Sequence, residues 1–423
     1  MAKENSRVRS DTDQWGEYVE ENTGRGWRML RRKINGIEFN IYKPQTLDYI
    51  YAMEASEVRL RLNVMSDRME LPTGPITDFQ ESVILNQLQD YGMTNVGRMR
   101  TAMHDMAVHN KYHPVREYLD ALPEWDGREH FATLMEKLEM SSPLAETFWR
   151  KFLIGSLAKV LDGYQNFMLV LMSTQGKGKS RLARWLCPLP KLFFEGPINP
   201  DNKDSEIRAI NYWFWEVAEL DATTRRADVA ALKFFITRKE ITVRVPYGRY
   251  DIMKPAAASF IGTINPDGTQ FLNDTENRRF SVVHVDDIDW SYEQIDLHQL
   301  WAEIYHAYRQ GEAWELTPHE REVQAEINSE HITESPLEAK LLAHYELDPS
   351  KPENIITTNE LLGQLEDLGV KGDQFKNKME LGKVMTRHGI NRARRRVEGK
   401  LQYVYEGVKY HKDGKEINIP GLG

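Results

Sequence analysis

Ser173-Thr-Gln-Gly-Lys-Gly-Lys-Ser180 gathers two glycines, two lysines and a terminal hydroxyl into one short stretch, a set suited to holding the phosphates of a nucleotide. Gly176 and Gly178 carry no Cβ, so backbone N–H groups can turn inward around phosphate oxygens. Lys179 is then placed for the β- and γ-phosphates and the Ser180 hydroxyl for Mg²⁺. Gly176, Lys177, Gly178, Lys179, Ser180 and Arg181 form the expected nucleotide-binding set. The stretch departs from GxxxxGK[ST] at its first position, where Ser173 stands in place of glycine.

Hydrolysis needs more than a phosphate cradle. It needs a carboxylate for Mg²⁺, a second for the attacking water, a polar sensor and a cation for the developing charge. Tyr212-Trp-Phe-Trp215 reads as a buried strand ending in Glu216-Val-Ala-Glu219. Either glutamate suits either role; the preferred assignment is Glu216 as metal partner and Glu219 as water-activating base. Ala256–Asn265 reads as a second buried strand whose final Asn265 can hydrogen-bond water or a γ-phosphate. Asp274-Thr-Glu-Asn-Arg-Arg-Phe280 puts Arg278 and Arg279 together after an acidic turn. In a ring, one of them reaches a neighbour's γ-phosphate; the competing reading is a surface ion pair with Asp274 or Glu276. Between these elements, Arg244–Lys254 reads as a hairpin with Tyr247-Gly-Arg249 at its tip. Arg244, Tyr247, Arg249 and Lys254 combine charge and an aromatic ring, which suits single-stranded DNA, with Lys233, Arg238 and Lys239 extending the basic lining.

The elements that position these residues follow from hydrophobic periodicity. Phe167-Met-Leu-Val-Leu-Met172 is an apolar strand before the loop, and Arg181-Leu-Ala-Arg-Trp-Leu186 has helical spacing after it. Residues 165–285 alternate strand and helix patterns, as in an α/β nucleotide-binding domain. Upstream, Thr77 opens a helix with Ile84, Leu85, Leu88 and Tyr91 on one face; helices are expected at 96–110, after His113-Pro-Val115, and through 130–160. Residues 318–331 read as a charged helix or linker. Downstream, helices are expected around Leu341, at Thr358–Leu365 and at Leu381–His388, followed by a hairpin of Leu401–Tyr405 with Gly407–Tyr410, a winged-helix layout. The expected division is a partly disordered segment at 1–75, a helical collar at 76–160, a P-loop ATPase domain at 161–330 and a small winged-helix-like domain at 331–423.

Composition fits this layout. The chain has 423 residues, a net charge of −9 and 41% hydrophobic residues, ordinary for a chain of two to three globular domains. The single cysteine, Cys187, excludes an internal disulfide and a cysteine-based zinc site. No apolar run reaches bilayer length, and the polar start of the sequence has no signal-peptide core, so a cytoplasmic protein with no membrane partner is expected. From Lys371 to Glu416 thirteen Lys/Arg stand against six Asp/Glu. This tail, with Arg392-Ala-Arg-Arg-Arg396, is able to meet nucleic-acid phosphates, while the rest of the chain is acidic.

The ordered set Asn63–Arg68, Tyr112-His-Pro-Val115, Trp125-Asp-Gly127, Gly178-Lys-Ser180, Glu216-Val-Ala-Glu-Leu220, Tyr247-Gly-Arg249, Thr263-Ile-Asn265, Asn277-Arg-Arg-Phe280 and Leu300-Trp-Ala-Glu303 resembles the virulence-associated protein E family of phages and mobile islands. Those P-loop ATPases look like superfamily 3 helicases on an AAA+ core. The resemblance implies a hexameric motor driven by ATP and Mg²⁺ on single-stranded or forked DNA, working with phage or host replication proteins. It places Asn265 as sensor 1, Arg278 or Arg279 as the arginine finger, and the Tyr247–Arg249 hairpin in a central DNA channel. Many relatives carry a primase ahead of the ATPase; no paired-carboxylate primase constellation is apparent here, so primer synthesis is not expected. Two other readings fit the same residues: an initiator or helicase loader without unwinding, and a non-hydrolysing DNA-binding regulator.

Overall fold

The apolar runs around the glycine-rich loop become strands of one sheet in the computed structural model, which describes residues 17–22, 28–41, 43–200, 202–220, 229–243, 251–265, 277–331, 336–371, 373–397 and 399–411. The strands are β1 (Leu138–Met140), β2 (Met168–Met172), β3 (Phe193–Glu195), β4 (Phe214–Val217), β5 (Ser259–Ile264) and β6 (Phe280–Ile288), in the spatial order β1-β6-β2-β5-β4-β3. From β2 to β6 every pairing is parallel, and β1 lies antiparallel on the edge against β6. β2, β4 and β5 are buried along their whole lengths, as strands of a parallel sheet covered on both faces must be. Helix α1 (Ala145–Asp162) packs on β2, β5 and β6, α2 (Lys179–Leu186) packs on β4 and β5, and α3 (Leu297–Arg309) lies against α1. The chain leaves β2 for the far edge at β3, returns through β4 and β5, then crosses to β6 on the other side of β2. This reversal opens a crevice at the carboxyl ends of the strands, where the glycine-rich loop departs.

Buried apolar side chains form three clusters. The first gathers Leu30, Tyr49, Ile84, Leu88, Met99 and Met103 from the N-terminal strands and helices. Its helix Asp78–Asp90 starts as expected: Thr77 accepts from the Gln80 N–H while the Gln80 side chain accepts from the Thr77 N–H, a reciprocal cap. The second cluster is the core of the sheet. It also takes Val115, Leu119, Phe131, Leu134, Phe148 and Trp149, so the helices from 114 to 162, grouped by sequence with the collar, share the core of the sheet. The third cluster is C-terminal and includes Leu337, Leu341, Leu361, Leu381, Val384 and Val404's neighbour Tyr405.

The two signatures ahead of the loop are joints. Tyr112 pairs with Asn63 across an isolated parallel bridge, and its hydroxyl donates to Glu70. His113 caps the helix Pro114–Asp120 through the Arg116 N–H, and its other ring nitrogen faces the Val160 carbonyl at 3.2 Å. Burial lowers the His113 pKa. Trp125 donates its indole N–H to the Arg128 carbonyl, and the Asp126 side chain accepts from the Arg128 N–H while facing His130. Packing and capping account for both motifs.

In the C-terminal unit the helices are Pro336–His344, Thr358–Asp367 and Gln374–Arg387. The hairpin differs from the expected one. Arg392–Val397 pairs with Lys400–Glu406, whereas Val408–Tyr410 pairs with the distant Tyr345–Leu347. Gly399, with φ +79°, lies in the connection between the paired strands; the basic run alternates exposure too weakly to announce a strand. No helix among the described residues is long and apolar enough to cross a membrane.

Candidate nucleotide site

The loop between β2 and α2 lines a cleft of about 350 Å³ together with Ala218, Glu219, Thr263 and Asn265. Gly176 and Gly178 have φ of +84° and +95°, values that would strain any residue with a side chain. A Cβ on Gly178 would also come within 3.1 Å of the Trp290 ring. Ser173 is not among the residues of positive φ, so the first loop position does not need glycine's freedom. Its hydroxyl instead lies 3.1 Å from the Lys179 ammonium.

Lys179 is the first residue of α2 and is 8% exposed. Its ammonium donates to the carbonyls of Ser173 and Thr174 and to Asn265 Oδ1, the last at 3.2 Å. Burial lowers its pKa. All of these acceptors are neutral, so an anionic phosphate is a stronger partner for the same charge.

Glu216 sits in the middle of β4 and is fully buried. Neither carboxylate oxygen has a hydrogen-bond partner of good geometry. Burial raises its pKa; the hydroxyls of Ser180 and Thr263, which face it, work against the rise. An ionised carboxylate without partners in the interior is costly. A divalent cation between Glu216 and Ser180 would remove that cost with oxygen donors of the kind Mg²⁺ takes, so the residues present fit the ion. Glu219 follows at the cleft wall with φ +50°, a strained setting for a non-glycine residue and one that recurs at functional positions. Thr263 escaped the sequence reading as a site residue. The signal was its place two residues before Asn265, which follows β5 directly, a spacing that puts both on one face.

Around the cleft, Arg181 is engaged by Glu293 through both guanidinium arms and lies over the Trp290 ring at 4.6 Å. Lys177 pairs with Asp287 at 2.9 Å, an exposed contact that lowers the Asp287 pKa. Both are rim contacts that bound nucleotide can rearrange at little cost.

Arg278 and Arg279 lie at the other end of the sheet. β6 runs parallel to β2 with Phe280 opposite Met168 and His284 opposite Met172. The arginines therefore precede β6 at the amino edge, separated from their own loop by about 15 Å of strand. Arg278 is exposed, and Arg279 Nε donates to the Thr237 hydroxyl at 3.2 Å. Gln324 and Asn328, from helix α4 (Pro318–Ser329), donate to the carbonyls of Arg278, Phe280 and Asn277 and fix this turn.

Of the expected DNA contacts, Arg244, Tyr247 and Arg249 lie outside the described residues. Lys254 does not face open solvent: its ammonium donates to the Val64 carbonyl and to Asp67, both at 2.6 Å. Of the basic lining expected upstream, Lys239 is exposed and the other two residues are placed otherwise. Lys233 is 6% exposed, and Arg238 pairs with Glu206 and lies over the Phe234 ring.

The family model of the virulence-associated protein E-like domain matches residues 119–333. Among solved structures, the chain is similar to an apo structure of the NrS-1 C-terminal region (305–718), at 14% identity and a TM-score of 0.49, covering 87% of this chain and 100% of that one. The A-form apo structure of the same region gives 14% identity and a TM-score of 0.47, covering 86% and 100%. A search of curated proteins gives no match.

Proposed function

The chain belongs to the virulence-associated protein E-like domain family, and from that premise we propose that it is a Mg²⁺-dependent ATP hydrolase with an AAA+ core, acting as a ring-shaped DNA helicase in the replication of a phage or mobile element. The observation that carries the reading is Glu216: a buried carboxylate with no hydrogen bond of good geometry, facing the hydroxyl of the residue that follows Lys179. The strand order supports an AAA+ core. The loop strand β2 stands between β6 and β5, so the sensor strand ending in Asn265 separates it from the strand carrying Glu216.

Each residue then has a task. The N–H groups of Gly176 to Lys179 and the α2 amino terminus receive the β-phosphate. Lys179 leaves the carbonyls of Ser173 and Thr174 for the phosphates. Ser180 and Glu216 would hold Mg²⁺, which when bound neutralises charge on the β- and γ-oxygens. Glu219, at the wall of the cleft, orients the attacking water and takes its proton. Asn265, already against Lys179, reports on the γ-phosphate. Among the described residues, the cleft cations other than Lys179 are already paired, Lys177 with Asp287 and Arg181 with Glu293, so transition-state charge calls for a further cation. Arg278 and Arg279 precede β6 at the opposite end of the sheet from their own cleft, and Arg278 is exposed, which supports supply from a neighbouring copy of the chain.

DNA contact is assigned to the expected Tyr247–Arg249 hairpin and to the C-terminal unit, read as a winged helix with Arg392–Glu406 as its wing. On the wing, Arg392 and Arg394 lie over the Tyr403 ring at 4.1 and 4.8 Å, a pairing of guanidinium and exposed aromatic that suits strand binding. Lys254, held by Asp67, is left out of the DNA set. The test is ATP turnover with and without single-stranded DNA, together with displacement of a strand from a forked substrate. DNA-stimulated turnover with displacement is the expected outcome. Turnover without displacement would replace the helicase with an initiator or loader, and absence of turnover would leave a nucleotide-holding regulator.

A further inference from the structure

Away from the cleft, His284 on β6 and the pair Glu330-His331 at the end of α4 converge. Their ligand atoms, one from each side chain, all lie within 4.8 Å of one another. The two imidazole Nε2 atoms are 3.3 Å apart, with the rings tilted by 32° and their centroids 5.4 Å apart. This separation is long for a hydrogen bond between ring nitrogens. It equals the edge of a tetrahedron whose centre lies at the Zn–N distance of about 2.0–2.1 Å from each corner, an edge of about 3.3–3.4 Å. We propose that His284, His331 and Glu330 form a three-ligand site for a divalent transition metal, zinc by donor type, with water in the fourth position.

Three further features favour a cation here. Two imidazoles and one carboxylate are the borderline donors that zinc accepts and that Mg²⁺ does not prefer. His331 is 2% exposed, so one ligand is already desolvated and held, while Glu330 is exposed and gives the metal a way in. The site also lies at the carboxyl end of α4, beside its negative dipole end. On the strand side, the His284 backbone is fixed by the Ser142 hydroxyl, which accepts from its N–H at 2.7 Å, and by the Ser141 N–H, which donates to its carbonyl.

The consequence is structural. His284 pairs in register with Met172, the last residue of the loop strand, while His331 is the last described residue before the C-terminal unit resumes at Pro336. A bound metal ties the exit of the ATPase core to the strand next to the nucleotide loop. It also holds in place α4, whose Gln324 and Asn328 fix the Arg278–Arg279 turn.

The test uses Co²⁺ as an optical probe on the untagged full chain. Wild type should take up one Co²⁺ with the intense visible absorption of a tetrahedral site, and Zn²⁺ should displace it. His284→Gln and Glu330→Gln, both at positions not fully buried, should fold as wild type. The first should abolish the band, and the second should weaken uptake by at least about tenfold. Zn²⁺ should raise the wild-type Tm but not that of His284→Gln. A weak octahedral spectrum that persists in His284→Gln and disappears in Glu216→Gln would place the metal in the nucleotide cleft and overturn the proposal. So would wild type that takes up no Co²⁺, which would leave the two histidines as a hydrogen-bonded pair.

Discussion

The two ends of the central sheet are built on different terms. At the carboxyl end, polar groups are left wanting: Glu216 has only the facing hydroxyls of Ser180 and Thr263 and no hydrogen bond of good geometry, Lys179 leans on carbonyls of its own loop, and Glu219 sits at positive φ. At the amino end, donors from α4 hold the backbone of the Arg278–Arg279 turn, and Thr237 accepts from Arg279. On the proposed reading, the first end is a receptor whose internal costs a ligand would remove. The second is a platform that presents Arg278 outward from a fixed turn. One fold carries both because the strands are parallel, so their beginnings and ends gather at opposite edges. If neighbouring copies stack edge to edge, the platform of one completes the receptor of the next.

The largest effect should come from breaking the receptor. Lys179→Ala should reduce ATP turnover below detection while the Tm stays within a few degrees of wild type, measured by phosphate release and thermal melting. Arg278→Ala or Arg279→Ala should come next, with one of the two lowering turnover by about 10³-fold. Mixing separates the two ends. Lys179→Ala subunits retain intact arginines, and the arginine variant retains an intact cleft, so mixed rings should recover part of the activity that neither shows alone. Failure of every mixture to recover turnover would show that the two ends do not meet across subunits.

Much of the receptor was legible in the sequence because each part ends an apolar run. Lys179 comes in the loop after Phe167–Met172, Glu216 follows the aromatic run Tyr212–Trp215 and Asn265 follows β5, so strand pattern and chemical type coincided. The platform was legible only as composition. That Arg278 and Arg279 lie opposite their own cleft depends on the register of Phe280 with Met168, which no local pattern encodes. The partners of two basic residues were hidden for a related reason. Lys254 is neutralised by Asp67 and Arg238 by Glu206, partners too distant in the chain to be paired by inspection. The C-terminal hairpin shifted because Val408–Tyr410, alternating like its neighbour, found its mate in Tyr345–Leu347 instead. Likewise, the helices from 114 to 162 carry the same apolar faces as those before them; only packing assigns them to the sheet.

Smaller effects should separate the two ends by their response to pH. Glu216 is held above its ordinary pKa of 4.5 by burial. The unfolded chain releases this proton more readily than the folded one, so the contribution of Glu216 to stability falls as pH rises through 4.5 and beyond. Glu216→Gln should therefore melt higher than wild type at pH 8 while losing turnover. The platform end has the opposite sign. Lys159, 1% exposed on α1, donates to the Ile236 carbonyl beside Thr237, and burial lowers its pKa from 10.5 to about 7. Between pH 7 and 10.5 the unfolded chain holds a proton that the folded chain has released, so this contribution to stability rises with pH across that window. Lys159→Met should flatten that rise. Its net gain at pH 7 should be only about 1 kcal/mol, because the Ile236 carbonyl loses its donor. Melting curves across pH read both variants: opposite slopes removed by the two substitutions would confirm that burial strains a carboxylate at one end and an ammonium at the other. Equal slopes in wild type and Lys159→Met would mean that Lys159 keeps its proton when folded, and the platform would then rest on a buried cation.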